Sequence, residues 1–279
     1  MSKFVGNSAE IGGAIASHES SFVNIINSTF VENRATPANI DVQCSNVTLY
    51  GDHNFELLTK SMSQIRTKVV SIERRFCNGG AIAIFHSRLS INGSMFCNNT
   101  SDSGGAGALS IQDCSAANMY NSEFWNNTIN TIGPGFGGAI KVVNMANATI
   151  ENCTFYKSSA NYGGALDVWL SSVTISDCQF GDNSAILSGG AITMDQLSQL
   201  TVNGSQFTNN RAATGGALSA VRSKVALADS IFSNNQASGS GGAMYFLQSN
   251  VIFNGSCNLT DNFAVIGGAV YVSLSLIHI

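Results

Sequence analysis

Charge is scarce in this chain: Lys, Arg, Asp and Glu make up 11% of its 279 residues, against the usual quarter. The balance of −4 offers no pull toward nucleic acid or an anionic membrane surface, so no nucleic-acid partner is expected. No apolar run reaches the roughly 18 residues that a membrane-crossing helix needs. Only 2 prolines are present, which excludes a Pro-rich spacer. The four histidines, His18, His53, His86 and His278, are scattered. Seven cysteines include no Cys-x-x-Cys pair, so neither a zinc site nor a Cys–His nucleophile is indicated. The Gly-Gly steps lack a following Gly-Lys-Ser/Thr, which excludes a phosphate loop. No metal or cofactor is expected.

What is abundant is glycine, 28 residues, and it is periodic. Gly-Gly-Ala-aliphatic returns at Gly137, Gly163, Gly189, Gly215, Gly241 and Gly267, always 26 residues apart. A second signature, Phe-x-x-Asn, follows most of these starts by 17 or 18 residues, as in Phe180 to Asn183, Phe207 to Asn210 and Phe232 to Asn235. Self-similarity at such a period marks a solenoid, whose repeats contact only their neighbours. With apolar residues at 44%, a continuous core is available and compositional disorder is excluded.

Within a repeat, the fourth position is aliphatic (Ile140, Leu166, Ile192, Leu218, Met244, Val270) and so, mostly, is the sixth (Val142, Val168, Met194, Ala220, Phe246, Val272). The residue between varies freely: Lys141, Asp167, Thr193, Ser219, Tyr245, Tyr271. Period-2 alternation is the mark of a strand with one buried face. A second alternating pair precedes each Phe, such as Val173 with Ile175 and Val225 with Leu227, followed by a small residue two positions before the Phe. A short third segment runs from the Phe through Asn to Ala. The repeated Asn is expected to turn a corner in the left-handed conformation and to stack as an amide ladder. Two or three short strands per 26 residues predict an all-β fold, a right-handed parallel β-helix of about nine to ten rungs, with coils about 4.8 Å apart.

The whole chain, 1–279, reads as one β-helix. Pro37 to Val42 keeps the aliphatic positions and reads as a degenerate rung closed by Phe55. Residues 56–76 fit no rung and carry Lys60, Arg66, Lys68, Arg74 and Arg75, five of 13 basic residues, as an excursion from the stack. The rung at Gly104 is longer, with a bulge at Gly133-Pro134-Gly135. Phe4, Asn7 and Ala9 match a corner in mid-rung, and the Gly267 coil stops before its Phe. Both ends therefore read as uncapped, the chain as a piece of a longer protein, and flanking rungs as its neighbours.

Gly-Gly-Ala-Ile at 12–15, 79–82, 137–140 and 189–192, alternating with Phe-x-x-Asn at Phe4, Phe30, Phe96, Phe124, Phe180, Phe207 and Phe232, resembles the polymorphic outer membrane proteins of chlamydiae. The resemblance covers nearly everything outside 56–76. It implies a β-helical passenger, exported to the cell surface by a membrane barrel and acting as an adhesin, with the tetrapeptides implicated in contact. Gly-Gly-Ala-Leu, -Met and -Val at 163, 215, 241 and 267 depart from the first motif; Ser158 and Leu259 depart from the second.

Parallel β-helices also host polysaccharide lyases and hydrolases, which need clustered carboxylates with a basic residue, or two carboxylates in register. Lys141 above Asp167 reads as an exposed ladder pair worth under about 1 kcal/mol. Asp195 lies beside Trp169 and Val221 with no second acid, and Asp113, Glu123 and Glu151 are scattered. Cys153 and Cys178 share a column in adjacent coils, so a disulfide is within reach; two buried thiols are preferred, since other coils place Ser there. Sequons such as Asn99 and Asn126 coincide with turn positions. The sequence thus predicts a non-catalytic, extracellular or cell-surface scaffold of adhesin type. Its contacts would come from the basic excursion and from Tyr245 and Tyr271, and its partner would be a host-cell or matrix protein or a glycan. The alternatives are a polysaccharide-processing enzyme and a mechanical spacer.

Overall fold

The computed structural model describes residues 2–9, 11–18, 21–35, 47–49, 80–102, 105–130 and 133–278. Within them the chain winds into coils of four short strands, each paired in parallel with its counterpart one coil away. One coil comprises Ile192–Asp195, Gln199–Asn203, Gln206–Thr208 and Arg211–Thr214. We call the resulting sheets aliphatic, second, phenylalanine and alanine. They hold nine, ten, nine and eight strands among the described residues, so the stack has about nine coils, as the repeat predicts. The expected third segment divides into two strands, because a corner falls between the Phe and the Asn. A parallel β-helix results.

Two glycines close each coil for different reasons. The first of each pair has φ between 56° and 69° from Gly12 through Gly267, and a Cβ there would strike the carbonyl oxygen three residues on. The second has no such φ. A Cβ on Gly138, Gly164, Gly190 or Gly216 would run into the carbonyl oxygen of its counterpart in the next coil. Backbones therefore meet where the aliphatic and alanine strands converge, and only hydrogen fits between them.

Phe4, Phe30, Phe96, Phe124, Phe155, Phe180, Phe207 and Phe232 form one column of parallel rings, with neighbouring centroids 4.5–4.8 Å apart and planes within 7°. All but the first are fully buried. Strand spacing imposes the separation, and each ring adds the burial energy of a large apolar side chain, about 1.5–3 kcal/mol.

The repeated Asn does not turn the corner. The left-handed residue is the one before it: Asp182 (φ 51°), Asn209 (59°) and Asn234 (55°). Asn183, Asn210 and Asn235 instead form the expected ladder. Each Nδ2 donates to the next coil's Oδ1 at 3.0–3.1 Å, and that oxygen also accepts the backbone N–H one coil earlier at 3.0 Å. The same Nδ2 reaches the Phe carbonyl of the preceding coil. Their corner position serves a buried polar network rather than a backbone requirement.

Two serine columns do similar work. Ser205 Oγ accepts the Cys178 backbone N–H and donates to the Asn203 carbonyl. A second column, Ser87, Ser115, Ser171, Ser198, Ser223, Ser249 and Ser275, binds coil to coil where the aliphatic strand turns into the second strand. The same serines stand at equivalent places in the repeat, so this column too is written in the sequence.

Two register expectations change. Ile15 pairs directly with Ile82, Val23 with Leu89 and Phe30 with Phe96, so no coil intervenes between them. Pro37 to Val42, Phe55 and the 56–76 excursion lie outside the described residues, and the stack steps from Ala35 to Gly80. Val47–Leu49 pairs with Val23–Ile25 on the side away from the next coil. The coil expected at Gly104 begins its repeat at Ala106-Gly107, since Leu109 pairs with Ile140 and Ser110 with Lys141. Its extra length is therefore spent just before Gly137, around the Gly133-Pro134-Gly135 bulge.

Ser158 interrupts the amide ladder. Its backbone N–H donates to Asn183 Oδ1, but its own Oγ is buried without a partner. Ser158→Asn should supply an acceptor to Asn127 and a donor toward the Phe124 carbonyl, stabilising by about 1–3 kcal/mol at 0.5–1.5 kcal/mol per bond. Thermal denaturation is expected to show a midpoint higher by several degrees; an unchanged or lowered midpoint would count against the ladder as a stabilising device.

Candidate functional site

Part of the outer face of the aliphatic sheet is covered. Ile140–Val143 is buried throughout, and residues just before two of the glycine pairs lie against outward side chains of the sheet. Phe136 lies against Lys141, whose Nζ is 4.5 Å from the ring centroid. Thr193 Oγ1 donates to the Ser188 carbonyl at 2.9 Å and lies 3.0 Å from its Oγ. Lys141 and Asp167, in register on adjacent strands, are therefore 6% and 4% exposed, and the expectation of an exposed pair is corrected. Buried charges carry a desolvation cost that a surface pair avoids.

Burial pushes the Asp167 carboxyl up to about 7; the Asp195 charge adds to the rise and the Lys141 charge opposes it. Asp195 is thus near a second acid, contrary to the sequence reading. It is held by Arg222, whose Nη2 lies 3.0 and 3.1 Å from its two oxygens, on the solvent side. Lys141, Asp167, Asp195 and Arg222 form one charged group along this sheet, with exposed Trp169 paired to Asp195. A hydrolase needs two accessible carboxylates flanking a bond. Here one is covered and the other is occupied.

The phenylalanine sheet carries the more open surface. In the column after each Phe stand Cys97, Trp125, Tyr156, Gly181, Thr208 and Ser233. Trp125 and Tyr156 are 4.6 Å apart at 46°. The Tyr156 ring lies over Gly181, where a Cβ would meet its Cδ2 at 2.9 Å. Asp182 is close enough to hold the phenol proton, which pushes the Tyr156 pKa up. A depression of about 210 Å³ opens beside the ring.

The other residues singled out by sequence fall into three groups. Lys60, Arg66, Lys68, Arg74 and Arg75 lie outside the described residues, as do Cys44 and Cys77. Tyr245 and Tyr271 stack at 5.0 Å and 7° and are half-buried. Of the repeat-motif positions, Gly137, Gly163, Gly189, Gly215 and Gly241 are buried, as are Phe180, Phe207, Phe232, Asn183, Asn210 and Asn235, so they are unavailable for contact; Gly267 is exposed. Cys153 and Cys178 are buried free thiols that replace Ser in its column, the Cys153 N–H donating to the Cys178 sulfur at 3.4 Å. Asn99, a sequon, sits wholly inside the amide ladder.

Among known proteins, the profile of the family described as a right handed beta helix region matches residues 42–226 and, overlapping, 107–275. The chain belongs to this right-handed β-helix family. No curated protein and no solved structure matches it.

A carboxyl whose folded pKa exceeds its unfolded value of about 3.9 takes up a proton on folding. The stability Asp167 contributes is complete below about pH 4 and lost as pH rises through about 7. Asp167→Asn should therefore gain in melting temperature relative to the parent protein on going from about pH 5 to about pH 8. An identical difference at both pH values would mean that Asp167 is ionised throughout.

Proposed function

We propose that this β-helix is a non-catalytic scaffold of adhesin or passenger type, displayed outside the cell or at its surface, with a host-cell or matrix protein or a glycan as partner. One observation carries the reading: nearly all the Gly, Phe and Asn positions of the repeat are buried in coil closure. The outward columns are left free to vary from coil to coil. A rigid ladder of variable side chains is what a contact surface requires, and no reaction is implied. The alternation of Gly-Gly-Ala-aliphatic with Phe-x-x-Asn, which resembles the chlamydial surface proteins, supports the same reading. Contacts would come from the 56–76 excursion with its Lys60, Arg66, Lys68, Arg74 and Arg75, and from the Tyr245–Tyr271 stack.

Beads coated with the chain are expected to attach to cultured epithelial cells or immobilised matrix, and deletion of 56–76 or the double change Tyr245→Ala, Tyr271→Ala to reduce attachment. Attachment by neither would leave a mechanical spacer. A polysaccharide-processing reading is favoured by one feature alone, the convergence of Lys141, Asp167, Asp195 and Arg222. It requires release of reducing ends or unsaturated sugars from polysaccharide, abolished by Asp195→Asn; no release is the expected result.

A further inference from the structure

Successive coils place Ser110, Lys141, Asp167, Thr193, Ser219 and Tyr245 in one outward column of the aliphatic sheet. Charge enters this series at two neighbouring coils only. The two charges are opposite in sign and in direct register, and both side chains are covered, at 6% and 4% exposed. Phe136 lies over Lys141, and its ring stacks at 5.2 Å on Tyr162, the residue before the next glycine pair. Two surface ion pairs, Arg34–Asp102 and Arg222–Asp195, use arginine. The covered pair uses lysine, whose amine is a nucleophile once it has given up its proton. A covered ion pair is harder to accommodate than neutral residues of similar volume, and the neighbouring coils of the column do without charge.

We propose that Lys141 and Asp167 are the site of an intramolecular isopeptide bond that ties two successive coils together. Lys141 Nζ attacks Asp167 Cγ and a C–N bond forms. The bond from Cγ to the acid's hydroxyl oxygen breaks, and that hydroxyl leaves as water with a proton from the attacking nitrogen. The reactants are the neutral amine and the neutral acid, which one proton transfer from the Lys141 ammonium to the Asp167 carboxylate supplies without change of total charge. Desolvation favours this neutral pair over the ion pair, and burial pushes the Asp167 carboxyl up to about 7, with the Asp195 charge adding to the rise. Strand register holds the two backbones about 4.8 Å apart, so the groups meet at an effective concentration that no free amine reaches. Neither an oxidant nor a second chain is required. The product amide is uncharged, which removes the desolvation penalty of two covered charges, and it closes one 26-residue coil into a covalent ring. A linked chain has no Asp167 carboxyl left to titrate, so the pH comparison described above belongs to the unlinked form, and a Lys141→Arg background preserves it.

Intact-mass spectrometry of the full chain, folded as judged by circular dichroism and then denatured for the measurement, reads the bond directly. The expected mass is that of the sequence less one water. Trypsin should leave residues 89–157 uncut at Lys141 and joined to 158–211 in one branched product. Lys141→Arg and Asp167→Ala should each show the full sequence mass and ordinary cleavage. Cyclisation of an aspartate onto its own backbone also expels water, so fragmentation must place the link between Lys141 and Asp167. Lys141→Arg separates the two chemistries, because it keeps every aspartate and the positive charge but cannot form the amide; it also decides the matter should Asp167→Ala fail to fold. The full sequence mass in the folded parent, or a water loss that persists in Lys141→Arg, would overturn the proposal.

Discussion

The close approach of successive backbones at the second glycine of each pair is the constraint on which the remaining architecture depends. At Gly138, Gly164, Gly190 and Gly216 the next coil's carbonyl occupies the place of a side chain. That contact sets every coil to the same radius and the same register. Once register is common, equal positions fall above one another and identical residues become columns. Phenylalanines stack, amides hydrogen-bond to amides, and serine hydroxyls receive the N–H of the coil before. None of these interactions is local in sequence, yet all repeat because one steric condition repeats.

The interior polar groups are satisfied by this arrangement with little help from charge. Each rung of the amide ladder uses two N–H donors on one nitrogen beside an acceptor oxygen, which Asn provides and Asp or Ser does not. The gap at Ser158 shows the requirement by its breach: the neighbouring hydrogen bonds persist and one hydroxyl is stranded. The scarcity of charged residues has the same origin. Ladders place like beside like, and like charges stacked one coil apart would repel.

Much of the coil was legible from the repeat. Glycine pairs at fixed spacing, an aliphatic residue at the fourth position and Phe three before Asn were enough for the fold, the number of coils and the ladder. The corner residue was misassigned because Asn is tolerant of left-handed backbone, while the structure uses whichever residue precedes it, including Lys157 and Glu32. Between the Gly13 and Gly80 coils the register follows the glycines, Ile15 pairing directly with Ile82. For the candidate sites, the Tyr245–Tyr271 stack followed from column position alone. The Tyr156 trough did not, although Trp125, Tyr156 and Gly181 occupy consecutive places in a single column.

The sequence by itself determined what repeats: the parallel coil, its stacked core and its amide ladder, since a periodic pattern needs no knowledge of which segments meet across the fold. Only the tertiary structure decided which outward residues are open. Phe136, just before the Gly137 pair, lies over Lys141, and Lys141 and Asp167 are buried where alternation placed them in solvent. The phenylalanine sheet has no such cover. Period-2 patterning tells inside from outside for one strand, but it cannot report a second layer of chain lying on the outer face.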